Sequence, residues 1–124
     1  MRDESRRWLL LAKEDLQSAE INHSQKVYYV ASFMAQQSSE KALKGLLIEK
    51  EKKLLKIHDL VLLAKKVHLP SELITKCDEL TRAYVATRYP DNANGIERES
   101  FDEQTSEQCI TIAEEILQWV EKSM

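Results

Sequence analysis

Apolar residues recur along this chain at three- and four-residue steps, the spacing of one face of an α-helix. Leu9, Ala12, Leu16 and Ala19 make the first such stripe, thickened by Trp8, with Arg6, Lys13, Glu14 and Gln17 on the opposite face. Asp3 and Glu4 stand where carboxylates favour a helix start, and Asn22, His23 and Ser24 make a polar break. A long helix is then predicted over residues 27–50, and it carries two unusual rows. Small residues recur as Ala31, Ala35, Ser38, Ala42 and Gly45, while Gln36, Gln37, Glu40, Lys41 and Lys44 form a polar row beside them. A small stripe lets a neighbouring backbone approach closely. Glycine inside a helix costs about 1 kcal/mol relative to alanine, so Gly45 calls for a packing reason.

The lysine-rich stretch 50–56 (KEKKLLK) reads as a solvated connection, with contact to an anionic partner as the alternative. Asp59 is the predicted N-cap of a short helix with the stripe Leu60, Leu63, Ala64 and Val67, ended at Leu69 and Pro70. His68 near that end suits the C-terminal dipole. Pro70 suits the first turn of a fourth helix, whose stripe is Leu73, Cys77, Leu80 and Tyr84. Pro90 drives Tyr89 out of the helical region, so this helix stops there and residues 92–99 form a loop. Ser100 to Glu103 (SFDE) reads as a capping box opening a last helix that buries Cys109, Ile112, Ala113, Ile116, Trp119 and Val120. The fold class expected is all-α: an antiparallel up-and-down four-helix bundle with one additional short helix, in a single domain over residues 1–124.

Composition agrees with that picture. Two glycines and two prolines in 124 residues leave little material for the turns of a many-stranded protein, and 43% hydrophobic with 31% charged residues is a globular balance. A net charge of −3 gives no whole-protein basic signature, so RNA binding ranks below other readings. The two cysteines, Cys77 and Cys109, lack metal or CxxC spacing and read as small buried hydrophobes. The N-terminal stretch lacks a signal peptide's apolar region and no apolar run is long enough for a bilayer, so the expected location is cytoplasmic, without membrane association.

No glycine-rich phosphate loop, HExxH, GxSxG or metal-spaced carboxylate set is present, and no cofactor, metal or catalytic residue is assigned. The polar row of the second helix stays open between two readings. It is either a solvated face with an ion pair between Glu40 and Lys44, or the lining of a cleft between helices.

A family resemblance spans almost the whole chain. It runs through Trp8, Leu9, Ala12, Asp15, Leu16 and Ala19, then Ala35–Gln36–Gln37, Glu40–Lys41–Ala42–Leu43–Lys44 and His58–Asp59–Leu60. It continues through Tyr84 and Arg88–Tyr89–Pro90–Asp91 and closes on Ala113, Trp119 and Val120. In order and spacing these residues resemble the HEPN domain family, small helical proteins associated with minimal nucleotidyltransferases. The resemblance implies a four-helix bundle like the substrate-binding domain of kanamycin-type nucleotidyltransferases, commonly a homodimer, with a link to nucleotide binding. Some branches are metal-independent ribonucleases of toxin–antitoxin pairs, in which an arginine is followed after four to six residues by a histidine. This chain departs from that motif. Ala93, Asn94 and Gly95 stand where the histidine after Arg88 would fall, and neither Arg82 nor Arg98 is followed by one at that spacing.

The function expected is therefore a HEPN-like binding subunit for a nucleotide or other anionic ligand, pairing with a minimal nucleotidyltransferase in a toxin–antitoxin type module. The candidate ligand-binding residues are Gln37, Glu40, Lys41, Lys44, His58, Asp59, Arg88, Tyr89 and Asp91. Lys41, Lys44 and Arg88 would meet phosphate, Tyr89 would stack, and Glu40 would orient the lysines. The alternatives are a ribonuclease toxin using Arg88 with His58, or a purely structural dimeric module.

Overall fold

The computed structural model describes residues 1–88 and 102–124, apart from the side chains of Tyr84, Ala86, Thr87 and Arg88. Its helices are α1 (Asp3–Ser24), α2 (Tyr28–Glu51), α3 (Leu60–Lys66), α4 (Ser71–Arg88) and α5 (Glu103–Ser123), with no strand among the described residues. The expected bundle of four long helices and one short one is what forms.

Helix α2 is the hub: it packs against α1, α3, α4 and α5, most extensively against α1. The connection between α1 and α2 spans only residues 25–27, so the two run antiparallel. Arg2 confirms the pairing by donating its backbone N–H to Glu49 Oε1 at 2.9 Å, joining the start of α1 to the end of α2. That bond also lowers the Glu49 carboxyl below its ordinary value. All five small residues of the predicted stripe are buried. A Cβ on Gly45 would meet Trp8 Cβ at 3.1 Å and the Ser5 carbonyl at 3.3 Å, which is the packing reason the glycine called for. Ser38 Oγ donates to the Ala12 carbonyl at 2.7 Å across the same interface.

One core draws on every helix, with Leu43, Leu46, Leu47, Leu60, Leu63, Leu80, Ile116 and Val120 among its fully buried members. Cys77 and Cys109 are free thiols within it. Asp59 caps α3 as predicted, accepting from Leu62 N at 3.0 Å. The end of α3 turns through His68 at φ 59°, in the left-handed region, with its N–H on the Lys65 carbonyl at 3.1 Å. The Pro70 carbonyl takes the first amides of α4, from Leu73 and Ile74.

The cap of α5 is a correction. The helix begins at Glu103 and Asp102 is its N-cap, accepting from Thr105 N at 2.8 Å, which lowers the Asp102 carboxyl. A carboxylate three residues before a free amide satisfies an orphan donor with full charge; Ser100, with which the expected capping box began, lies outside the described residues. No helix among the described residues is long and apolar enough to cross a membrane.

Candidate functional site

Midway along α2 the polar row turns inward. Gln36, Glu40 and Lys44 lie on successive turns and are all buried, in a helix whose neighbouring positions are core. Lys44 Nζ donates to Glu40 Oε2 at 2.9 Å, so the ion pair anticipated for a solvated face forms inside the protein. Buried charges persist only where paired and hydrogen-bonded, and this carboxylate is surrounded by donors. His58 Nδ1 reaches the same Oε2 at 2.9 Å, and Gln36 Nε2 makes a long 3.5 Å contact with Oε1. Gln37 Nε2 continues the chain onto Gln36 Oε1 at 3.0 Å.

His58 is placed unlike its partners. Its side chain is 73% exposed while Glu40 is 5% exposed, so the ring stands at the surface with one nitrogen anchored inward. An ionised carboxylate only accepts, so the bond puts a proton on Nδ1. In the neutral ring, Nε2 is then left with its lone pair facing outward. A carboxylate that orients an imidazole in this way is the arrangement that supports a base, or a defined acceptor for a ligand N–H or O–H.

Two residues absent from the sequence-derived site complete the frame. The Trp8 ring covers Lys44, with Nζ 5.6 Å from the ring centroid, a cation–π distance. Asp15 takes Lys41 Nζ at 2.6 Å across the α1–α2 interface. The site thus separates into two units. Glu40 holds Lys44 and His58, whereas Lys41 is held by Asp15 instead of by Glu40. Among the described residues, each lysine of the row already has a carboxylate. Asp59 stands at the surface with its carboxylate committed to the α3 cap. Arg88 ends α4, but its side chain, Tyr89 and Asp91 lie outside the described residues.

Of the signals that mattered, Trp8 and Asp15 both belong to the family pattern, yet Asp15 is 26 positions from Lys41 and nothing local links them. Two open grooves between α4 and α5, of about 430 and 310 Å³, contain none of the predicted site residues. The second is bordered by Trp119, whose ring has Lys50 Nζ 6.0 Å from its centroid. No group of three His, Cys, Asp or Glu side chains among the described residues could hold a metal ion.

Comparison with known proteins sets this geometry in context. The family model described as HEPN domain matches residues 5–123. The crystal structure of TT1696 from Thermus thermophilus is similar over 99% of this chain and 100% of that one, at 29% identity and a TM-score of 0.90. The crystal structure of ST0689, an archaeal HEPN homologue, is similar over 98% of each chain, at 30% identity and a TM-score of 0.83. No curated protein matches the chain significantly.

Proposed function

The chain belongs to the HEPN domain family, and from that membership we propose that it is a helical binding subunit for a nucleotide or another phosphate-bearing anion. In this reading it works in the cytoplasm as a homodimer paired with a minimal nucleotidyltransferase, in a module of toxin–antitoxin type. The observation that carries the ligand reading is the exposed His58 ring clamped by the buried Glu40 carboxylate. A fixed imidazole at the surface offers a defined contact to a phosphate when protonated, or to a ribose hydroxyl when neutral. With the polar row closed, Lys44 keeps Glu40 charge-balanced and Lys41 ties α1 to α2, so the ligand contacts open without rearrangement fall to His58 and Arg88, with Tyr89 stacking and Asp91 and Gln37 at the margin. Isothermal calorimetry with ATP, GTP and their monophosphates tests this. Heats are expected from the native chain and are lost in His58→Ala and Arg88→Ala; heats that survive both substitutions place the ligand elsewhere. Co-purification with a nucleotidyltransferase tests the pairing.

A second reading, a metal-independent ribonuclease, draws on the same pair. Glu40 and His58 form a carboxylate–imidazole couple that can take a 2′-hydroxyl proton, and in this reading Arg88 would be the residue to meet phosphorane charge. Incubation with total RNA in EDTA separates the readings: RNA that stays intact at high protein concentration removes the enzyme.

A further inference from the structure

Residues 52–59 join α2 to α3. It leaves α2 at Lys52, whose φ of 55° is left-handed and whose N–H closes on the Ile48 carbonyl at 2.9 Å. It ends where Asp59 caps α3. Between these fixed points its residues alternate: Leu55 and Ile57 are half-buried against the core, while Lys53, Leu54, Lys56 and His58 are exposed. No backbone–backbone hydrogen bond among the described residues involves 53–58. The segment therefore rests on two apolar side chains and on the bond from His58 to Glu40, which lies eighteen positions back along α2. To reach Glu40 from the end of α2, the chain must fold back along that helix.

What lies at the anchor is the polar row. Gln36, Glu40 and Lys44 are at most 5% exposed, with Trp8 of α1 over Lys44 on one side and His58 on the Glu40 carboxylate. Without a covering element, an ammonium and a carboxylate on α2 would be solvated, as such pairs usually are.

We propose that residues 52–59 form a strap over the polar row of α2, latched by His58 on Glu40 and turning at Lys52, and that its release uncovers Lys44 for a phosphate-bearing ligand. The ligand half of this statement rests on the binding function proposed above; the strap itself rests on geometry alone. In the closed form the Lys44 cation is spent on Glu40 and shielded by Trp8. In the open form it is the buried cation of the row made available, beside His58 now free of its carboxylate.

Lysine acetylation read by mass spectrometry tests the strap without any ligand. In the native chain Lys44 is expected to label at least about ten-fold more slowly than the exposed Lys56, as a group reached only through local opening. In His58→Ala, which removes only an exposed side chain, and in Ile57→Ser, which removes one apolar hold, Lys44 is expected to label about five-fold faster. Lys41, held by Asp15 on the α1 side, keeps its native rate. Thiol labelling of buried Cys77 serves as the reporter of global unfolding. Unchanged Lys44 labelling in both variants, or a rise that Cys77 matches, overturns the strap. A further arm adds millimolar ATP to Ile57→Ser, which keeps His58: slower Lys44 labelling there supports the ligand. Faster labelling in Ile57→Ser that ATP does not alter leaves the strap standing and removes the nucleotide from this site.

Discussion

Glu40 and Lys44 sit one turn apart on α2 and share a 2.9 Å ion pair with side chains only 5% and 6% exposed. An i,i+4 pair of this kind on a solvated face contributes a few tenths of a kcal/mol. Inside the bundle the balance is different. The pair recovers its desolvation cost only through close geometry, and it makes each partner indispensable to the other.

Lys44→Met is therefore expected to destabilise the fold by about 3–5 kcal/mol, since it leaves the Glu40 carboxylate buried with only the exposed His58 and a distant glutamine as donors. Glu40→Leu combined with Lys44→Met is expected to cost about 1 kcal/mol or less, because no buried charge remains. Urea denaturation of the two single variants and the double variant reads this directly. Additive losses would mean that the two side chains act independently.

Gly45→Ala sets helix propensity against packing. Alanine gains about 1 kcal/mol in helix propensity. Its Cβ, however, would press on Trp8 Cβ at 3.1 Å and on the Ser5 carbonyl at 3.3 Å. Both atoms belong to or adjoin the α1 backbone and cannot swing aside, and overpacking costs about 1–3 kcal/mol. The expected net effect is a loss of about 1 kcal/mol, seen as a lower denaturation midpoint. A more stable variant would show that α1 can slide on α2.

Glu114 supplies a pH prediction. Burial, then the neighbouring Glu20 through a shared hydrogen bond and like charge, pushes its carboxyl above the ordinary value of 4.5. A carboxyl raised in the folded state holds its proton more tightly there than in the unfolded chain. Its favourable contribution is thus complete below pH 4.5 and is lost as the pH rises through the folded value. Glu20→Gln is expected to stabilise the protein near neutral pH by about 0.3 kcal/mol, a small figure because the pair is mostly solvated. The advantage should vanish in melts run below the carboxylate range.

The cysteines should be inert. Burial pushes the Cys77 thiol up to about 12 and raises Cys109 as well. Since the thiolate is the reactive form, neither should react with a thiol reagent faster than the bundle unfolds. Because both thiols are raised, stability should also fall as the pH climbs above the ordinary thiol value of 9.0. Rapid native-state labelling of either residue would contradict this burial.

Features carried by neighbours along one helix were legible in the chain itself. The periodic stripes of Leu9 to Ala19 and Cys109 to Val120 place α1 and α5, Asp59 caps α3, and Gly45 marks a close helix contact. The Glu40–Lys44 pair follows from four-residue spacing alone. These are interactions within a turn or two, where backbone geometry dictates which side chains meet. The cap of α5 shows the limit even there, since the capping box read over Ser100 to Glu103 gave way to Asp102 as the N-cap.

What tertiary structure decided is that this pair is closed off from water. His58 meets Glu40 eighteen positions away and Asp15 meets Lys41 across twenty-six, distances over which no periodicity carries information. Trp8 covers Lys44 only because Gly45 lets α1 come close. The amino-acid sequence by itself determined a helical bundle with a polar row on its central helix. The burial of that row, and the single histidine left at the surface above it, were decided by chain packing, because desolvation depends on what covers a residue rather than on what adjoins it.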